Sequence, residues 1–117
     1  MDIEQVRNYC IEKPGVTEEF PFDESTLVFK VMGKMFCLLE LNPPHFINLK
    51  CDPEKALQLR EEFNYIKPGY HMNKKHWNTI ELEKVLKQSL VKEWIEDSYN
   101  LVVQKLPKKL KEKLLQN

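Results

Sequence analysis

The densest run of chemically capable side chains in this sequence is Tyr70-His71-Met72-Asn73-Lys74-Lys75-His76-Trp77. A bound metal needs three or four converging ligands, yet His71 and His76 have no cysteine or carboxylate nearby to complete a shell, so no metal and no cofactor are expected. Catalysis needs an oriented base beside a nucleophile, and no serine, cysteine or acid lies within sequence reach of either histidine; a non-enzymatic protein is expected. Contact with nucleic acid uses what is present. Lys74 and Lys75 suit phosphates, Asn73 is a donor for a base edge or backbone, and Tyr70 and Trp77 are rings on which bases stack. The structural alternative is two aromatics facing the core and two lysines solvating a loop.

A second basic run lies near the end of the sequence: Lys105, Lys108, Lys109, Lys111 and Lys113, opposed only by Glu112. Such a run is commonly a solvated helix face, and cations are favoured near a helix C-terminus. Sharing one surface with Lys74 and Lys75, it would also attract phosphate. If three to five of these lysines met phosphates, log K would fall with log salt at a slope of roughly −3 to −4.5. Gly33 reads as a turn residue, since no Gly-rich series or Walker-type lysine accompanies it.

The elements that must position these side chains follow from periodicity. Asp2 caps a first helix, with Gln5 placed as a capping box requires and Ile3, Val6 and Cys10 on one face. Pro14-Gly15 stops it. Thr17 to Glu24 reads as an acidic connection whose Phe20 and Phe22 plug the end of the core. Thr26 to Met32 and Met35 to Leu41 then alternate as strands, joined by Gly33-Lys34 in a type II′ turn. Pairing Met32 with Met35 puts Leu27, Phe29, Val31, Phe36, Leu38 and Glu40 on one face, and Val28, Lys30, Met32, Met35, Cys37 and Leu39 on the other. The first face is the better core. The second is more apolar than a solvated face should be, so a cover is expected, either the chain's own C-terminus or a partner.

Phe46 to Lys50 forms a third strand after Asn42-Pro43-Pro44. Asp52-Pro53-Glu54 starts a helix, combining a cap, a proline at the first helical position and an acid on the positive end of the dipole. Tyr65 to Tyr70 and Trp77 to Leu82 read as a second strand pair. From near Ser89, Val91, Trp94, Ile95, Ser98, Leu101, Val102 and Leu106 recur at helical spacing. Pro107 resets the helix, leaving 107–117 as a basic helical tail on a single domain spanning 1–117. The order α-β-β-β-α-β-β-α is a two-layer α+β domain with an antiparallel sheet.

Composition agrees with that architecture. The 117 residues, 42% hydrophobic and 31% charged, suffice for a core without disulfides or structural metal. Cys10, Cys37 and Cys51 form no C-x-x-C pair and read as buried thiols. Cys51, just ahead of a helix start, is the one with an environment suited to a nucleophile. With no long apolar run and no signal-like N-terminus, the expected location is the cytoplasm, away from membranes. The formal charge is zero, but 1–64 carries 12 acids and 7 bases, net −5, and 65–117 carries 6 acids and 11 bases, net +5.

Taken together, several strings carry a family resemblance. They are Phe20-Pro21-Phe22-Asp23, Val28-Phe29-Lys30-Val31, Gly33-Lys34-Met35-Phe36, Leu49-Lys50-Cys51-Asp52-Pro53, Pro68-Gly69-Tyr70 through Trp77, and Ser98-Tyr99 ahead of Leu101-Val102. The chain resembles the MmcQ/YjbR family, small bacterial proteins of CyaY-like topology. That resemblance implies one α+β domain whose two hairpins form a double wing for DNA. The first wing would present Lys30 and Lys34, and the second His71, Asn73, Lys74, Lys75 and His76. With Lys108 and Lys109 from the tail, the expectation is a module that holds double-stranded DNA weakly by its phosphates. The rival expectation is protein interaction, as a homodimer or by chaperone-like capture on the apolar sheet face around Val28, Met32, Met35 and Leu39.

Overall fold

The computed structural model describes residues 1–69 and 72–116. Helix α1 (Ile3–Ile11) starts at the expected capping box: Asp2 Oδ1 accepts the Gln5 N–H at 2.8 Å, and Gln5 Oε1 accepts the Asp2 N–H at 3.0 Å. Its inward residues Val6 and Cys10 are buried. Strand β1 (Val16–Glu19) comes next, inside the segment expected to be a mere connection. It is an edge strand whose acids are neutralised locally, Glu18 by Arg7 and Glu19 by Lys30.

Strands β2 (Thr26–Val31) and β3 (Lys34–Glu40) form the first hairpin, and β4 (Phe46–Lys50) follows. Helix α2 (Pro53–Glu62) begins at Asp52, which accepts the Lys55 N–H. Strands β5 (Ile66–Pro68) and β6 (Trp77–Glu81) form the second hairpin, both shorter than expected. A single 3₁₀ turn (Leu82–Lys84) leads to α3 (Gln88–Gln104) and α4 (Lys108–Leu115). The sheet is wholly antiparallel in the order β1-β2-β3-β4-β6-β5. Helix α3 packs on β3 and β4, giving the expected two-layer α+β arrangement with one strand added. Among the described residues no helix is long and apolar enough to cross a membrane.

The first hairpin departs from expectation in a way that re-sorts its faces. Its turn is Met32-Gly33, with Val31 paired to Lys34 and φ of +49° and +85° at the two turn residues, the signature of type I′ rather than II′. Phe29 pairs with Cys37 but Lys30 with Met35, so β3 carries one extra residue, Phe36, as a β-bulge. A one-residue offset flips every side chain beyond it. Cys37 and Leu39 therefore join Leu27, Phe29 and Val31 under the helices, and Phe36 is buried there too. Leu38, opposite Val28, moves to the other face.

Ser98 of α3 makes the bulge tolerable. Its hydroxyl donates to the Phe36 carbonyl at 2.5 Å and accepts the Lys50 N–H at 2.9 Å. The β3–β4 ladder stops at Cys37 and Leu49, so the fully buried hydroxyl bridges two backbone groups just past its end. Across the sheet, Val28, Leu38 and Trp77 form a second cluster with Met35 and Met72 against it. Met72, Met35 and Trp77 thus cover this face, while the C-terminal residues Val102, Leu106 and Leu114 belong to the main core. Phe20 and Phe22 do not plug the core; they are 49% and 63% exposed.

Candidate nucleic-acid interface

Strand register decides which lysines meet. Val31 pairs with Lys34 beside the first turn, Lys50 with Trp77, and Pro68 with Asn78 beside the second connection. Both hairpin tips and the C-terminal end of β4 therefore project from one end of the sheet. Helix α4 lies at the same end: a Cβ added to Gly15 would sit 2.5 Å from Leu114 Cδ1 and 3.2 Å from the Met32 sulfur, next to the first turn. Lys34, Lys74, Lys75, Lys108 and Lys109 are all exposed there.

The remaining expected site residues have more constrained places. Lys30, half-buried on β2, is ion-paired to Glu19. Asn73 shapes the second tip: its Oδ1 accepts the Lys75 N–H at 2.9 Å, and its carbonyl accepts the N–H groups of His76 and Trp77. His76 is half-buried, and its carbonyl accepts the Cys51 N–H at 2.7 Å, tying the tip to the end of β4. His71, together with Tyr70, lies outside the described residues.

Arg60, which sequence reasoning missed, anchors this tip from α2. Its guanidinium donates to Asn78 Oδ1 at 2.7 Å, to the Trp77 carbonyl at 3.3 Å and to the Lys74 carbonyl. Asn78 in turn donates to the Ala56 carbonyl, which closes the network onto α2. The fork geometry of arginine suits converging oxygens on adjacent segments. Arg60 stands in the last turn of α2, and its partners lie 14 to 18 residues further along the chain, beyond the reach of any local pattern.

Lys50 was missed as a site residue, and Lys105, expected only within the basic run of the tail, meets it. With Lys34 they surround a hollow of about 220 Å³, walled by Met35, Trp77, Val102 and Leu106 and containing no acidic side chain. Burial pushes the Lys50 ammonium below its ordinary pKa, and Lys105 pushes in the same direction. Acids do reach this end of the sheet, but Asp52 caps α2 and Asp97 is bound to Lys55 at 2.6 Å.

The open face of the sheet holds a larger groove of about 780 Å³, bordered by Phe22, Leu38, Phe46, Pro68 and Met72 with Asp23 and Glu40 at one side. Asp23 is a turn builder: it accepts the N–H groups of Thr26 at 2.7 Å and Ser25 at 3.0 Å, and these bonds hold its carboxyl below the usual pKa. Cys10, Cys37 and Cys51 are free and buried. Burial pushes the Cys51 thiol up, opposite to what a nucleophile requires.

Comparison with known proteins agrees with the fold. A family model described as YjbR matches residues 11–101. The uncharacterised protein YbdF of Escherichia coli O157:H7 is 43% identical over 107 residues, spanning 91% of this chain and 88% of the relative. YjbR of Escherichia coli K12 is 31% identical over 117 residues, 99% of each chain. The crystal structure of Deinococcus radiodurans DR2400 superposes with a TM-score of 0.88 at 39% identity, covering 96% of this chain and 86% of that one. The family model covers most of the chain and the relatives and solved structure nearly all of it, and the protein belongs to the YjbR family.

Proposed function

We propose that this protein is a non-enzymatic module that binds double-stranded DNA weakly by its phosphates, using the end of the sheet from which both hairpin tips project. The observation carrying this reading is the convergence of Lys34, Lys50 and Lys105 on one acid-free hollow between the two tips. Lys74 and Lys75 extend the positive surface along the second tip, and Lys108 and Lys109 along α4. Those two tail lysines occupy the first turn of α4, where the helix dipole disfavours cations. Dipole stabilisation therefore does not account for them, whereas a phosphate partner does. Asn73 has its Oδ1 engaged in the turn, which fixes the side chain and leaves its Nδ2 as the donor toward the duplex, while the lysines meet the backbone phosphates.

Fluorescence anisotropy with a labelled duplex at about 50 and 200 mM salt tests the reading. Binding at the lower salt with a log–log slope of about −3 to −4.5 is expected. No binding at the lower salt would sink it.

The exposure of Phe22 beside the large groove favours a second reading, capture of a protein segment. This relocates the interaction surface first expected around Val28, Met32, Met35 and Leu39, since Val28 and Leu39 are fully buried and Met32 and Met35 pack against the two apolar clusters. Light scattering showing a strict monomer would remove the homodimer form of this reading.

A further inference from the structure

We infer that the hollow bounded by Lys34, Lys50 and Lys105 is a site for a phosphate monoester, which in nucleic acid means a phosphorylated strand end rather than an internal phosphodiester. The inference deepens the DNA reading by naming the group selected, and its test separates the two.

The site is assembled from three distant pieces of chain. Lys34 opens β3 directly after the type I′ turn. Lys50 closes β4, with its own N–H fixed on Ser98 Oγ. Lys105 caps the C-terminus of α3, its N–H bonded to the Val102 carbonyl at 3.2 Å. These backbone restraints hold the lysine stems at the rim of the hollow.

Charge is unbalanced there. Among the described residues, ion pairs engage Arg7, Lys13, Lys30, Lys55 and Lys84, but none of the three lysines of the hollow. Burial of the Lys50 stem and the nearness of Lys105 both disfavour the Lys50 ammonium, and no acid lines the hollow to offset them, so an anion from outside is the complementary occupant.

Two properties select the monoester. At neutral pH it carries about −1.5 to −2 charge and three terminal oxygens, one for each ammonium, whereas a diester carries a single charge. The hollow of about 220 Å³ has room for a phosphoryl group and the first atoms of its alcohol. Met35, Trp77, Val102 and Leu106 offer that alcohol an apolar wall.

The test titrates the ¹⁵N-labelled full chain with methyl phosphate, dimethyl phosphate or potassium chloride at matched ionic strength. The backbone amides of Lys34, Met35, Lys50 and Leu106 and the Trp77 indole N–H are followed. A saturable response to methyl phosphate, at least fivefold tighter than to dimethyl phosphate, is expected. Lys50→Met and Lys105→Gln should each weaken it at least fivefold, while Lys84→Gln, in an ion pair outside the hollow, should leave it unchanged. Lys105 is exposed at a helix end, so its variant keeps the test valid should Lys50→Met fail to fold. An equal response to the diester, or linear shifts shared by all three salts, would overturn the inference.

A parallel arm compares duplexes bearing 5′-phosphate or 5′-hydroxyl ends. Tighter binding of the phosphorylated duplex, lost in Lys105→Gln, is expected. Methyl phosphate binding without any duplex binding would overturn the DNA reading alone. Equal duplex affinities with no methyl phosphate response would overturn the monoester site alone.

Discussion

The two ends of the sheet are built differently. At one end, the first hairpin tip, the terminus of β4 and the C-cap of α3 bring Lys34, Lys50 and Lys105 around one hollow, with Lys74 and Lys75 exposed on the second tip at the same end. At the other, Asp23 and Glu40 stand with Phe22 and Phe46 at one side of an apolar groove that runs along the open face past Lys67 to Pro68 and Met72 at the second tip. A formal charge of zero thus covers a molecule with opposite poles. The poles do not follow the −5 and +5 halves of the sequence, since Lys34 and Lys50 come from the acidic half. Antiparallel register, which returns alternate strand termini to the same end, does the sorting. The difference teaches that charge polarity here is a property of topology rather than of sequence blocks.

The contrast is broken most severely by removing Arg60. Arg60→Met strips donors from Asn78, Trp77 and Lys74 at the second tip, and unfolding in urea should show a loss of about 3 kcal/mol. Hydrogen exchange should accelerate around Lys74–Asn78 while the Asp23 turn stays protected. Equal acceleration at both ends would mean that Arg60 is not specific to the basic one.

Ser98→Ala comes next, at about 2 kcal/mol, because the Phe36 carbonyl and the Lys50 N–H each lose a buried partner. The same variant should loosen phosphate binding, since Lys50 is positioned through that bond. A variant with unchanged urea midpoint would refute the bridging role.

Lys50→Met sharpens the comparison in the opposite sense. Burial and Lys105 both disfavour the Lys50 ammonium, so its folded pKa lies below its unfolded value and its charge opposes folding at neutral pH. Wild-type stability should accordingly rise as pH climbs through the folded and unfolded pKa values of Lys50, and Lys50→Met should flatten that rise. Its melting midpoint at pH 7 should equal or exceed that of the wild type even as DNA affinity falls; a clear drop in the midpoint would argue against it.

The smallest effect belongs to the acidic end. Hydrogen bonds from Thr26 and Ser25 depress the Asp23 pKa, so its contribution is present above the unfolded value and lost as pH falls through the folded one. The stability difference between wild type and Asp23→Ala should therefore shrink below about pH 4. DNA binding at neutral pH should be untouched.

What the sequence revealed was set by how local each cause is. Asp2 with Gln5, Asp52 with Pro53, and the helical spacing of Val91, Trp94, Ile95 and Ser98 act within a few residues, and those elements stand where expected. β1 was hidden because Thr17-Glu18-Glu19 lacks apolar alternation; it is a strand because β2 offers an edge and Arg7 and Lys30 offer charge. The bulge at Phe36 depends on Ser98, far along the chain, and once it was missed Leu38, Cys37 and Leu39 were assigned to the wrong faces. Lys34, Lys74 and Lys75 were legible as tip residues. The place of Lys50 among them, with Lys34 and Lys105 around one hollow, was not, because it needs the register of β4 on β6 and the length of α3.

The central claim, that the basic end is the phosphate-binding surface, is tested most directly by amide chemical-shift mapping on adding duplex DNA at about 50 mM salt. The account predicts shifts at Lys34, Lys50, Lys74, Lys75 and Lys105, with Phe22, Thr26, Glu40 and Phe46 unmoved. Shifts centred on the groove, or none anywhere, would contradict it.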